Sequence, residues 1–390
     1  MHTPYSRSNV STIVLGATSL LLSACAAGDA GAPTWTGTRD TIDGVEVVRN
    51  PAEPLLGDGA VAATIVWTEA GAEFDSDAGP LWEQPSHVRA ADGVVYVLDA
   101  LAARVYAHRA TDGEPLATIG RKGPGPGELN QPSGLALLDG DVVVADGSGE
   151  VEVFDPSGAH LRSIQPNGIV MGLDALGTDR LLLGRFQGPD SPWRTVLALT
   201  GESWSLEAPE WLVEKPADVA ECGSIATTGA TLLRAHCSLL RFHLASDEGH
   251  VLREVTVDRA VVYSSEAELD AYERRVRRQM AEVGLPPAQA DRMVASFRDQ
   301  SRVKRLFGSI RHDAEADRYW ILEQQTEDFG GGPATLHLFG PSGVYLARLA
   351  FERAWTDFDA ADGHVYALEK DPDTDLATLV AFRIDLPIVD

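Results

Sequence analysis

A stretch at Gly120–Ile164 recurs, degraded, about six times along the 390 residues, and repetition of that length leaves few folds open. In its fullest copy Gly120-Arg-Lys-Gly-Pro-Gly-Pro-Gly-Glu-Leu129 runs into Gln131-Pro-Ser-Gly-Leu-Ala-Leu-Leu-Asp-Gly140, then Asp141-Val-Val-Val-Ala-Asp146, Glu150-Val-Glu-Val-Phe154 and Asp155-Pro-Ser-Gly158. A glycine-rich turn leads to a short apolar strand, an Asp-Gly turn, a second strand ending in Asp, and a third strand closed by another turn. One such antiparallel sheet is apolar on both faces and cannot bury them alone, so its neighbours must be further copies. The pattern predicts an all-β chain, a six-bladed β-propeller.

Six first strands align on the turn that follows each: Ser86–Ala91, Ser133–Leu138, Val170–Leu176, Ser224–Thr228, Ser309–Glu315 and Thr356–Ala361. They recur at about 45 residues except between the fourth and fifth. Ala62–Glu69 is an unassigned strand near the start, while the last copy lacks a fourth strand. Pairing the two would remove an exposed edge and close the ring. Val45–Arg49 is expected as a further strand beside it. In the long interval, Ser265-Glu-Ala-Glu268 is a capping box. Leu269, Tyr272, Val276, Met280 and Val283 follow at helical spacing. Gly284 and Pro286-Pro287 then turn the chain into a second helix. This helical hairpin, residues 265–300, is an insertion between blades four and five. It is expected to lay an apolar stripe on the propeller and expose Arg274, Arg275, Arg277 and Arg278.

From about Trp82 to Ile384 the chain resembles the NHL-repeat-like six-bladed propellers found among bacterial lipoproteins, most closely over Asp92–Gly158. The resemblance weakens in blades three and four, whose second strands do not end in Asp. It speaks to fold far more than to activity, because propellers host many unrelated functions.

The N-terminus has the form of a targeting segment. Arg7 precedes an apolar run, Val10–Leu22, too short to span a bilayer as a helix, and Leu22-Ser23-Ala24-Cys25 follows. This resembles the bacterial lipoprotein signal. It implies a signal peptide over 1–24, a diacylated Cys25, a tether over 25–40 and a propeller over 41–390. Ala26 after the cysteine gives no inner-membrane retention signal, so the expected location is the outer membrane, with the membrane as a partner through the lipid. In an exported chain Cys222 and Cys237, flanking a predicted hairpin, are expected to form a disulfide.

A formal charge of −26 argues against nucleic acid as a partner. The Gly123–Gly127 run is no phosphate loop, since neither Lys-Ser/Thr nor a helix follows. Asp371-Pro-Asp373-Thr-Asp375 opens like a calcium loop but has Leu376 at the sixth position and Phe382 at the twelfth. No cysteine–histidine cluster has zinc spacing. The expected metal and cofactor complement is therefore none.

Residues at the starts of the first strands are expected to line the channel mouth: His87, Gly134, Met171, Gly223, Arg311 and Asp357. The polar candidates for ligand binding are His87, Arg311 and Asp357. Asp99, Asp146, Arg185, His236, Glu323 and Lys370 end the second strands on the same side, where Asp99 and Asp146 read as turn-capping carboxylates. Phe329-Gly-Gly-Gly-Pro333 is expected as a loop at that mouth. The resulting expectation is a monomeric, lipid-anchored binding or scaffolding module for a protein or a polar small molecule. No catalytic residue is assigned; the competing reading is a lactonase-like hydrolase or lyase at the channel mouth.

Overall fold

In a computed structural model of the protein, the residues described are 33–70, 82–166, 168–186, 194–200, 203–207, 225–229, 231–282, 284–324, 332–371 and 377–387. They are mostly β, with two helices. Cys25, Cys222, Gly223 and most of the Phe329–Pro333 and Asp371–Asp375 loops lie outside them.

The Asp-Gly pairs act as the sequence implies. Asp92-Gly93, Asp139-Gly140 and Asp362-Gly363 all have positive φ at both positions, the geometry that lets a two-residue turn follow the twist of its strands. Each turn joins the first and second strands of a sheet. Sheet 1 comprises β4 (Pro85–Ala91), β5 (Val94–Asp99), β6 (Arg104–Arg109) and β7 (Pro115–Ile119); sheet 2, β8 (Pro132–Leu138), β9 (Asp141–Asp146), β10 (Val151–Phe154) and β11 (His160–Ile164). Sheet 3 holds β12 (Ile169–Leu176), β13 (Arg180–Phe186), β14 (Arg194–Thr200) and β15 (Ser203–Glu207). Sheet 4 is built on β16 (Ile225–Thr228), β17 (Thr231–Ala235), β18 (Arg241–Ala245) and β19 (Val251–Val257). Sheet 5 holds β20 (Phe307–Asp313), β21 (Arg318–Gln324), β22 (Ala334–Phe339) and β23 (Tyr345–Ala350). Sheet 6 holds β24 (Ala354–Ala361), β25 (His364–Lys370), β26 (Ala377–Asp385) and, as its outer strand, β3 (Ala62–Ala70).

The first strands touch their successors in order, and β24 returns to touch β4. The core lies between sheets. Leu98, Val105 and Ile119 of sheet 1 meet Leu135, Val144 and Phe154 of sheet 2 in one buried cluster, and Val88 and Val97 meet Tyr366 and Leu368 of sheet 6 in another. Burial on both faces explains why the second strands are continuously apolar rather than alternating.

The strand at residues 45–50 is displaced from its expected place. β2 (Val45–Asn50) does not lie beside β3; it pairs in parallel with β19, and β1 (Thr38–Ile42) pairs antiparallel with β2, giving sheet 4 six strands. Asn50 supplies the reason. Its amide donates to Thr256 O (3.2 Å) and Gly343 O (3.0 Å), while its Oδ1 accepts from Trp35 Nε1 (3.0 Å) and Tyr345 N (2.8 Å). A buried amide with every bonding direction used can hold the strand only in this register. Trp35 packs against the cluster between sheets 4 and 5. Trp35 and the start of β1, which fall within the expected 25–40 tether, thus belong to the packed and paired structure of sheet 4.

The helical hairpin forms as read, from α1 (Glu266–Glu282) and α2 (Pro287–Gln300). Ser265 N donates to Glu268 Oε2 (2.7 Å) and Glu268 N to Ser265 Oγ (3.3 Å), completing the capping box. Leu285 N donates to Met280 O and Gly284 N to Ala281 O around a positive-φ Gly284, which ends α1. The apolar stripe behaves differently from expectation. Val276, Met280, Ala290 and Val294 form a cluster of their own, so the helices bury their stripes against each other. Arg277 pairs with Glu273 and Asp291, and Arg275 lies over the Tyr272 ring; Arg274 and Arg278 are exposed.

Candidate functional site

The first strands converge on an inner cavity of about 380 Å³. Its walls come from β4, β12, β16, β20 and β24 with two residues of β13, and they include His87, Arg311 and Asp357. The three expected residues are therefore brought together. Asp357 is buried, and two guanidiniums share it: Arg311 Nη2 reaches Oδ1 (3.0 Å), while Arg89 Nη1 reaches Oδ2 (2.8 Å), which also accepts from Val88 N (3.1 Å). Burial alone would push the Asp357 carboxyl up, but Arg89 and Arg311 hold it below its ordinary value.

Arg89, Asp174 and Asp359 complete the cluster, and the sequence reading missed them. Strand register explains why. His87 faces Leu98, Gly134 faces Ala145, Gly172 faces Gly184 and Asp357 faces Leu368, each opposite the fifth residue of a second strand. Arg311 instead faces Trp320, the third residue of its second strand. It is level with Arg89, Asp174 and Asp359, which face Tyr96, Leu182 and Tyr366. Counting back from the turn assumes equal turns. The β20–β21 turn joins Asp313 to Arg318, whereas β4–β5 joins Ala91 to Val94, so the count slips by two residues. The slightly longer β12–β13 turn and a bulge likewise put Gly172, not Met171, level with His87. The signal available in sequence was the i, i+2 charge pairs His87/Arg89 and Asp357/Asp359 on first strands.

Ser86, His87 and Asp357 are gathered but do not form a relay. Ser86 Oγ lies 3.0 Å from His87 Nδ1 and 3.3 Å from Leu98 O. The Asp357 oxygens are taken by arginines and backbone. Burial lowers the His87 pKa to about 4 against the pull of Asp357. The imidazole is neutral and a weak base at neutral pH, a poor match for activating a hydroxyl. Among the described residues no group of three or more His, Cys, Asp or Glu side chains is arranged to hold a metal ion.

The mouth residues are consumed in bracing loops. Asp99 accepts from the backbone of Glu83 (2.6 Å), Gln84 (2.9 Å), Leu101 (3.2 Å) and Ala102 (2.9 Å), and Asp146 from Asn130 (2.5 Å) and Ser148 (2.9 Å). Where Asp is replaced the role survives: Arg185 Nη1 donates to Pro166 O (2.5 Å), and His236 Nδ1 accepts from Ser238 N (3.0 Å) and Leu239 N (3.1 Å). Glu323 takes a two-bond fork from Arg259 (2.6 Å each) and a bond from buried His337 (2.8 Å). Burial works against the Glu323 charge, yet His337 and Arg259 bring its pKa down to about 2. In sheet 6 the equivalent residue is Glu369, facing Trp355, rather than Lys370. Cys237 is disulfide-bonded, and Cys222, its expected partner, lies outside the described residues.

No family model matches this chain, and no curated protein matches it. Among solved structures, a Bacteroides fragilis protein whose description is that of an exported protein superposes with a TM-score of 0.55 at 11% identity, over 87% of this chain and 99% of its own. A DUF4221 family member from Bacteroides vulgatus gives a TM-score of 0.53 at 10% identity, over 85% and 100%. The WD40 repeats of RRP9 lie further off, with a TM-score of 0.47 at 10% identity over 83% and 100%. At these identities the first two likenesses speak to the fold alone.

Proposed function

We propose that this protein is an exported, lipid-anchored six-bladed propeller that binds a small polar ligand in its inner cavity. Six sheets, first strands in cyclic contact and a last sheet completed by β3 support the blade count. The helical hairpin is then an insertion between blades four and five. The Leu22-Ser23-Ala24-Cys25 sequence supports a lipid anchor, and Ala26 after it supports the outer membrane as its address. No described helix is long and apolar enough to cross a membrane. Binding rather than hydrolysis or lyase chemistry follows from one observation: the Asp357 carboxylate is spent on Arg89 and Arg311, and the cavity's histidine is held neutral, so no general base stands beside a hydroxyl. Such a site offers fixed donors and acceptors but no activated nucleophile.

Gly308 lines the cavity, and a Cβ built on it meets nothing within 4 Å. Gly308→Phe is therefore expected to fill the cavity while leaving the fold intact. In a thermal-shift screen of sugars, polyols, amino acids and small carboxylates, at least one compound should stabilise the wild type by several degrees and lose its effect in Gly308→Phe. Stabilisation by every active compound that is equal in the two proteins would remove the cavity as the site. Separately, Cys25→Ser should abolish incorporation of labelled palmitate in bacterial cells; undiminished labelling would show that Cys25 carries no lipid.

A further inference from the structure

We propose that the ligand of the inner cavity is a small zwitterion of the amino-acid type, with its carboxylate on Arg89 and its ammonium group toward Asp174. This deepens the small-ligand reading above and rests on it. Arg89 is inserted between sheets with its side chain 11% exposed. Its Nη1 is committed to Val88 O (2.6 Å) and Asp357 Oδ2 (2.8 Å). Nε and Nη2 donate to no protein group among the described residues, although Arg89 lines the cavity. That free edge is the fork that grips a carboxylate side-on through two parallel bonds. Arg311 has no such edge, because Nε donates to Phe358 O (3.0 Å) and Nη2 to Asp357 (3.0 Å).

Charge balance decides against a simple anion. Arg89 and Arg311 face Asp174, Asp357 and Asp359, and His87 is neutral, so the formal balance is one negative charge. Asp357 and Asp359 are engaged by guanidiniums and backbone amides. Asp174 lines the cavity, accepts from Ala175 N (3.0 Å) and makes no ion pair within 4 Å among the described residues. Burial pushes its carboxyl up against the more distant pull of Arg89 and Arg311. A ligand carrying both charges satisfies the fork and the acid together and leaves the balance unchanged. A bare carboxylate would answer only the first, and a bare amine only the second.

The test is calorimetric titration of the purified full-length protein with the twenty protein amino acids, using butyrate and butylamine as single-charge controls. At least one amino acid should bind, and both controls should bind at least tenfold more weakly. Asp174→Asn should weaken the amino acid about tenfold and strengthen butyrate. Arg89→Lys keeps the charge but loses the fork, and should weaken both carboxylates. Because Arg89 also joins sheets, Gly172→Leu serves as the second variant: a Cβ at Gly172 meets nothing within 4 Å, and it should block the amino acid in a folded protein. Equal or tighter binding of a control, or amino-acid binding unaffected by Gly172→Leu, overturns the proposal. If no amino acid binds while another compound is lost in Gly308→Phe, the zwitterion assignment falls and the small-ligand reading stands.

Discussion

A chain lacking residues 33–70 is expected to accumulate as aggregate and to show no cooperative unfolding transition. That segment holds three sheets at once. β2 extends sheet 4 along β19, and Leu55 N and Leu56 N donate to Tyr345 O (2.9 Å) and Leu346 O (3.0 Å) of sheet 5. β3 then pairs with β26 from Thr378↔Ala70 to Asp385↔Ala62. Trp67 adds a bond from Nε1 to Ala110 O (2.9 Å) and packs against Tyr366. Deleting the segment bares the full edge of β26, a template for pairing with other chains. It also strips cover from the clusters on both sides of sheet 6. Size-exclusion chromatography and urea denaturation, with the chain from Thr34 as reference, measure the outcome. A monomeric truncated protein with an unchanged transition would show that the N-terminal strands are dispensable. The point version is Asn50→Ala, which strands two donors and two acceptors in the interior and should cost about 3 kcal/mol.

Asp357→Ala is expected to be the most damaging single change in the cavity, at about 3–5 kcal/mol by chemical denaturation. The cost comes less from bonds lost than from two guanidiniums, 11% and 12% exposed, left without their shared counter-charge. The effect should depend on pH in a fixed direction. The folded-state pKa of Asp357 lies below its ordinary value of 3.8, so its contribution is fully present above that value and is lost as pH falls through the folded pKa. The stability gap between wild type and variant should therefore be constant near neutrality and close in strong acid. His87 works in the same sense over a higher window. Its folded pKa of about 4 lies under the ordinary 6.5, so the unfolded chain takes up the proton first and acid destabilises the fold between those values. Asp174 and Asp359, raised by burial, oppose this. A gap that widens toward low pH would mean that Asp357 is not the counter-ion of Arg89 and Arg311.

Local chemistry was legible in the chain because it depends on near neighbours. Asp92-Gly93, Asp139-Gly140 and Asp362-Gly363 announced their turns, the repeat announced its strands, Ser265/Glu268 announced a helix start, and Asp99 and Asp146 announced loop caps. The orphan strand Ala62–Glu69 and the unfinished last sheet were matched by counting alone, and β3 does pair with β26. Tertiary structure decided what counting could not reach. Whether Val45–Asn50 joins sheet 4 or sheet 6 depends on a bonding niche for Asn50 built from Trp35, Thr256, Gly343 and Tyr345, which meet only in the folded chain. Which charges share a level in the cavity depends on turn length and bulges, and a shift of two residues moved Arg311 from the level of His87 to that of Arg89. Periodicity names a face, but the partner across that face, whether helix α2 against α1 or Arg89 against Asp357, is set by where distant segments come to rest.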